Sequence, residues 1–364
     1  MEQTLYDNKK FSLSQSALKD WRTLAPSKWY EDWILGKRKS KRKRSMDFGQ
    51  LLDTLCFTPD LFEKRFIIAE CAKPSPKIET ILIEVYEHLV GLNTNIKEIN
   101  KKEGTKLPGK KITLVDNEDT VKKFCILNKH FHNKPDQAFR DVLKKGTQYF
   151  EFLKKLGHKV AITEEQEEMA KTLKEVLFTD PASRGFFKAK KGCEVLFQVQ
   201  IYADFPISTD NIESIPIKGI IDIIYLNHNK KTVREVDLKF TDDVFTFSTG
   251  PNNPVKLFDY PTQHSFYNYL LEAWLLTYKD GAYKDYAIMN PLNVVIDDKI
   301  KTPYIYRYDF HDLNIKRKGI EGTWIKGWEE QLEEIAWHLD KNDWTRPKEH
   351  ILNGSISIQI FNKK

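Results

Sequence analysis

One stretch, Ile217 to Lys239, constrains the fold of this chain more than any other. It reads Ile-Lys-Gly-Ile-Ile-Asp-Ile-Ile-Tyr-Leu, a polar turn at Asn227–Lys231, then Val-Arg-Glu-Val-Asp-Leu-Lys. Two short runs rich in β-branched residues around such a turn predict a β-hairpin. The first run places one carboxylate, Asp222, among apolar neighbours. The second alternates, so Glu235, Asp237 and Lys239 share one strand face and Val236 and Leu238 the other. Burying a carboxylate is costly unless something offsets it, and a divalent cation is the strongest compensation. Asp222 and Asp237 on adjacent strands would share one Mg²⁺, with Lys239 further along the same face. The plain alternative stands beside this: an Asp-x-Lys on a strand is commonly just a solvated face.

The rest of the chain limits the setting. At 364 residues it suits one large α/β domain carrying insertions. No apolar run approaches membrane-spanning length, and Met1 is followed by Glu2, Gln3 and Asp7 rather than by a signal peptide, so no membrane partner is expected. Cys56, Cys71, Cys125 and Cys193 are scattered without a Cys-x-x-Cys pair, which argues against a disulfide framework and against a zinc or iron–sulfur site. A reducing, cytoplasmic location follows as an expectation. A net charge of +6 permits a polyanionic partner without demanding one.

Taken in order, Ser12-Leu-Ser-Gln15 is a capping box that predicts a helix, and Pro26 ends it. A second aromatic helix with Trp29, Tyr30 and Trp33 precedes a basic run, Lys37, Arg38, Lys39, Ser40, Lys41, Arg42, Lys43 and Arg44. Such a run is a solvated loop, a phosphate-gripping arm or a nuclear-import signal. Phe48 to Phe57 reads as a mostly buried helix holding Asp53, an acid that either caps, pairs with an arginine or belongs to a site. Glu70 to Val160 is Lys-rich and mostly helical by pattern, with a loop at 101–111. Thr163-Glu-Glu-Gln166 is a second capping box. Glu194 to Phe205 alternates as a strand feeding the hairpin; Glu194 adds a carboxylate to the site or lies on the solvent face. Thr241 to Asn253 is polar and Gly/Asn-rich, which predicts a mobile loop. Pro261 starts a helix on which Gln263 and Tyr267 share a face, with Phe266, Leu270 and Trp274 packing on the sheet. Strands are expected at 286–289 and 304–310, and an amphipathic helix at 327–339.

In order, then, come Asp222, Glu235-Val-Asp237-Leu-Lys239 and Gln263-x-x-x-Tyr267. This series resembles the PD-(D/E)XK nuclease superfamily, in the RecE/RecB-like branch with a trailing Gln-x-x-x-Tyr that includes exonuclease VIII-like, phage-type exodeoxyribonucleases. Ser12 to Trp21 and Leu24 to Tyr30 are similar to that branch's N-terminal helix, and Gly49-Gln-Leu-Leu-Asp53 to its Gly-x-x-x-His helix. The resemblance implies an α/β fold in which helices flank a central mixed β-sheet, a restriction-endonuclease-like core. Residues 1–69 would form N-terminal helices with the basic arm, 70–160 a helical insertion, and 161–364 the nuclease core and C-terminal helix. Asp222 and Asp237 would be metal ligands together with the Leu238 carbonyl. Lys239 would orient or activate water, and Gln263 and Tyr267 would hold the phosphate or the lysine. Two departures matter. Asp53 stands where the branch usually carries a His ligand, and Ala25 where iron–sulfur members carry a Cys, so no cluster is expected.

The resemblance thus implies a Mg²⁺-dependent deoxyribonuclease, with Mn²⁺ able to substitute, degrading double-stranded DNA from its ends in recombination or repair. Tyr260, His264 and the basic run would steer the strand by stacking and counterion release. A single-strand annealing protein and a homo-oligomeric ring are the partners the family suggests. The alternatives are a non-catalytic DNA-binding or assembly module on the same scaffold, an endonuclease or nickase, and a structural protein whose acids are ordinary strand residues.

Overall fold

The computed structural model describes residues 11–38, 44–320 and 326–356. The chain divides into two compact units, one formed by Met1–Pro59 with Met169–Lys364, the other by Asp60–Glu168. Its strands are β1 (Phe66–Ile68), β2 (Val160–Ile162), β3 (Cys193–Pro206), β4 (Ser214–Asn227), β5 (Thr232–Phe240), β6 (Ala287–Ile296) and β7 (Tyr304–Arg307).

The smaller unit is helical, as the pattern of 70–160 predicts, but its limits are wider. The reason is a short parallel pairing of β1 with β2, Phe66 opposite Val160 and Ile68 opposite Ile162, which ties both ends of the segment into one body. Its long helices, Pro76–Glu103 and Pro135–Leu156, each begin with proline, whose missing N–H would be unbonded there in any case. They bury Ile78, Ile81, Leu82 and Val85 against Phe139, Val142 and Phe150. Gly146 lets them meet: a Cβ there would lie 2.8 Å from Leu82 Cδ1. The Thr163 capping box forms with both of its bonds, Thr163 N–H to Gln166 Oε1 at 2.9 Å and Gln166 N–H to Thr163 Oγ1 at 3.2 Å.

The larger unit is an α/β body built on a mixed five-stranded sheet of order β3-β4-β5-β6-β7. All its pairs are antiparallel except β5 with β6. A parallel pair needs a crossover, and the helix Tyr260–Thr277 supplies it. That helix buries Phe266, Leu270 and Trp274 against Ile217, Ile221, Ile224 and Val233 of the sheet. The helix Arg44–Phe57 takes the opposite face, where Phe48 meets Phe240 of β5 and Phe57 meets Phe197 of β3. The helix Trp328–Lys341 completes the first layer through Trp328, which packs on Phe205 and Phe266.

Three expectations change. The first capping box does not form: Leu13 pairs with Ile217 of β4, so the backbone before Gln15 is extended and the helix Gln15–Trp21 starts without a side-chain cap. The segment 304–310 splits into β7 and a helix, Phe310–Lys318. The loop after β5, expected to be mobile, is clamped: Val244 N–H donates to Asp297 Oδ2 at 3.0 Å, Tyr306 OH donates to the Val244 carbonyl at 2.6 Å, and Phe247 is buried. Its apolar Val244 and Phe247 provide the anchor that its polar composition hides. Among the described residues no helix is long and apolar enough to cross a membrane.

Candidate active site

The site lies where two strands part. Pairing of β4 with β5 runs from Asn227 opposite Thr232 to Ile223 opposite Val236 and stops there. Beyond that point β4 stays with β3, and β5 continues along β6 to Phe240 opposite Ile296. Asp222 and Asp237 are the positions the ladder would pair next, so the two carboxylates stand at the crotch of the fork. On the other edge of β5 the ladder with β6 is irregular between Arg234 and Val236, where β6 carries one extra residue between Met289 and Leu292. With no β4 carbonyl in register, the Leu238 N–H donates instead to Asp222 Oδ2 at 3.2 Å.

Each acid has defined partners. Asp222 Oδ1 accepts from Gln198 Nε2 at 2.9 Å. Asp237, only 2% exposed, accepts from Gln263 Nε2 at 2.9 Å through Oδ1. Its Oδ2 lies 2.5 Å from Lys239 Nζ but receives no well-directed hydrogen bond. Lys239 Nζ also sits over the Tyr260 ring, 4.8 Å from its centre.

The electrostatics follow from this crowding. Burial pushes the Asp222 carboxyl well above the usual carboxylate range, and the neighbouring charges of Asp237 and Asp53 push the same way, against Lys239 and the Leu238 N–H. Lys239 shows the reverse balance. Burial opposes its charge, yet Asp237, Tyr260 and Asp222 overcome it and hold its pKa above the ordinary lysine value. Lys239 therefore stays protonated near neutral pH. Tyr267 is pushed up by burial first and then by the two carboxylates, and its ring edge lies against Gly219 of β4.

A buried polar chain braces the strand behind the site. Glu235 and His264 are both 0% exposed, with Glu235 Oε1 2.8 Å from His264 Nδ1. His264 Nε2 lies 2.8 Å from Asn293 Oδ1, and Asn293 Nδ2 donates to Tyr308 OH at 2.8 Å. An amide oxygen only accepts, so His264 Nε2 carries a hydrogen. Burial raises the Glu235 pKa; for His264 burial acts downward but the Glu235 carboxylate outweighs it. His264 thus belongs to the interior and not to any strand-steering surface, because its two ring nitrogens are both spent on buried partners.

Other residues marked in the sequence fall as follows. Asp53, on the helix Arg44–Phe57, is near enough to Asp222 for its charge to act there. Leu238 contributes its N–H, as described. Glu194 stands four residues along β3 from Gln198, 3.3 Å from Lys279 Nζ and 3.5 Å from His228 Nε2, and it joins neither Asp222 nor Asp237. Arg38 is engaged with Asp20 at 3.0 Å and stacks on Trp33, so it is tied to the N-terminal helices. Lys37 donates its backbone N–H to Glu31. Lys41, Arg42 and Lys43 lie outside the described residues, and Arg44 opens the helix that carries Asp53. Sequence reasoning missed Gln198, Asn293 and Tyr308. Of the buried chain, Glu235 carried a signal as an acid on the same strand face as Asp237, and His264 was marked for a different role.

The donor set suits a hard divalent cation. Asp222 is destabilised by like charge, Asp237 Oδ2 is a buried oxygen without a directed partner, and carboxylates are the ligands Mg²⁺ and Mn²⁺ prefer. Among the described residues no three His, Cys, Asp or Glu side chains converge into a closed metal cage. Mg²⁺ does not require one, since it retains waters and takes one or two carboxylates plus substrate oxygens. No protein-family profile and no curated protein matches this chain.

Proposed function

We propose that this chain is a Mg²⁺-dependent deoxyribonuclease of the PD-(D/E)XK type that degrades double-stranded DNA from its ends. The observation that supports the reading best is the pairing of Asp222 and Asp237 at a strand fork, with Lys239 on one and Gln263 holding it. Asp222 and Asp237, with Asp53 nearby, would hold the cation, and Mn²⁺ would serve in its place. Bound there, the cation supplies charge neutralisation at the scissile phosphate and a more acidic water.

The side chains divide the remaining work. Lys239 keeps its proton, so it acts as a charged donor and not as a base. Its ammonium has three N–H bonds and pairs with Asp237 by charge at 2.5 Å without a directed bond, which leaves N–H bonds for a phosphate oxygen or the attacking water. Gln263 fixes the rotamer of Asp237 so that Oδ2 stays turned toward Lys239. Tyr267 and Tyr260 wall the site with aromatic surface and limit water around the ammonium.

The test is degradation of an end-labelled linear duplex beside a covalently closed circle, with Mg²⁺ and with EDTA. Loss of the linear DNA alone, with Mg²⁺ alone, is expected. Cutting of the circle would make the chain an endonuclease or nickase. Asp237→Ala should abolish cleavage while DNA binding persists; a variant as active as the native chain would reject the site.

A further inference from the structure

Gln198 is the residue in the larger unit that local rules explain least. It lies inside β3, between Phe197 opposite Ile223 and Val199 opposite Ile221, directly across from Asp222. Its φ is +50°, in the left-handed region that disfavours any residue bearing a Cβ. A strand interior offers no reason for that conformation, since an extended residue would continue the ladder. Glycine, the residue that adopts it freely, is not used. What the position gains from glutamine is the side chain, whose amide reaches Asp222 Oδ1 at 2.9 Å.

We infer that Gln198 is a positioning residue: its left-handed backbone aims its amide at Asp222 and sets the carboxylate's orientation at the fork. The inference deepens the nuclease reading and rests on it for its meaning in catalysis. The geometry is a clamp of two donors. Gln198 Nε2 holds Oδ1 and the Leu238 N–H holds Oδ2, one donor from the strand on each side of β4. With one removed, a single donor is left to fix the carboxylate about its χ2, a soft torsion that its partners set. An acid that must meet a cation in one orientation needs such outer support, whose loss typically costs about 10–100-fold in metal affinity or activity.

The experiment uses Gln198→Gly in the full chain, because glycine accepts the left-handed backbone while removing the side chain that carries the amide. The readout independent of activity is hydrogen exchange at the Leu238 amide, followed by NMR on leucine-labelled protein, with Asp222→Ala as the positive control. Positioning predicts exchange about tenfold faster at Leu238, the equivalent of one lost hydrogen bond to a charged group, in a protein no less heat-stable than the native one. Gln198→Asn, which tolerates the same backbone and keeps an amide on a shorter stem, should fall between the two. Unchanged exchange at Leu238 would overturn the inference. A lowered melting temperature with faster exchange spread across β3 and β4 would overturn it too, since that marks an ordinary packing residue. Cleavage is scored separately: a drop in kcat with KM held ties the clamp to catalysis. A native chain that cuts no DNA sinks the nuclease reading while the exchange result still decides the clamp.

Discussion

Replacing Asp222 by Asn should make the metal-free protein more stable, and the sign of that change separates a functional acid from a structural one. The carboxylate accepts two hydrogen bonds, from Gln198 and from the Leu238 N–H. Asn keeps one oxygen, so one of these contacts is lost, at a cost of about 1–2 kcal/mol. Against this stands relief of burial of a charge and of repulsion from Asp237 and Asp53, the causes that raise the Asp222 pKa. A carboxyl whose folded pKa is raised binds more protons folded than unfolded. Its ionisation therefore lowers stability as pH climbs from the unfolded value, about 3.9, through the folded one. At neutral pH the relief should exceed the lost hydrogen bond, for a net gain on the order of 1 kcal/mol, roughly 2–4 °C in melting temperature. Below about pH 4 the native acid is already protonated and the gain should vanish. Mg²⁺ or Mn²⁺ should reverse the ranking at neutral pH: ligand at about a hundred times Kd adds about 2.7 kcal/mol to the native chain and less to the variant. Thermal melts with EDTA and with the metal at two pH values complete the assay. A variant less stable than the native chain at neutral pH in EDTA would refute the reasoning, for Asp222 would then be held for its hydrogen bonds.

Three further outcomes are expected. Gly219→Ala places a methyl 2.6 Å from Leu270 Cδ1 and 2.9 Å from Tyr267 Cε1, so it should lower stability by about 1–3 kcal/mol in a denaturant titration and displace Tyr267. His264→Ala strands Glu235 and Asn293 in the core and should cost about 3–5 kcal/mol, whereas the double change His264→Leu with Glu235→Leu should recover much of it; equal losses in both would argue against a buried pair. Asp259 accepts ion pairs from Arg22 at 2.5 Å and Lys316 at 3.2 Å, which hold its pKa below the ordinary value against the upward pull of burial. A depressed acid stabilises above its unfolded pKa and loses that contribution as pH falls through the folded value, so Asp259→Asn should destabilise by about 1 kcal/mol at neutral pH and match the native melting temperature in strong acid, below about pH 3.

Much of the architecture was legible because hydrophobic period decides it. The first hairpin strand and the helix after the hairpin bury apolar residues largely at the spacing their sequence shows, the second strand is buried on both faces from Glu235 to Leu238, and the turn falls at 228–231 between Asn227 and Thr232. The acids were legible because an Asp in an isoleucine run contradicts its surroundings. Residues that act through long-range register were hidden. Gln198 looks like any polar strand residue until β3 is laid beside β4, and nothing in its neighbours announces a left-handed backbone. Asn293 and Tyr308 join His264 only through the parallel crossover that brings β6 against β5. The first capping box was misleading because pairing of Leu13 with Ile217 outweighs one side-chain cap, a local preference of about 1 kcal/mol.

Several departures from good local structure gather at one place, and their clustering carries weight that none has alone. The other left-handed non-glycine residues, such as Lys231, Lys279, Asp280 and Asn342, sit in turns and helix ends where that conformation is ordinary. Gln198 alone of those described adopts it in the middle of a strand, at a cost of about 1–2 kcal/mol. Opposite it stands a carboxyl disfavoured by burial and by like charge, and beside that a buried Asp237 oxygen without a directed partner. A further buried oxygen, Glu235 Oε2, lies two residues up the same strand. A chain selected for stability alone would remove these features by single substitutions: glycine or an extended residue at 198, a neutral side chain at 222. Strain and unmet polar groups persist where the surroundings over-determine them for another purpose. Here they gather around the point where β4 leaves β5, and a positive charge arriving between Asp222 and Asp237 would relieve two of them together, the crowding of the Asp222 carboxyl and the unpartnered Asp237 oxygen.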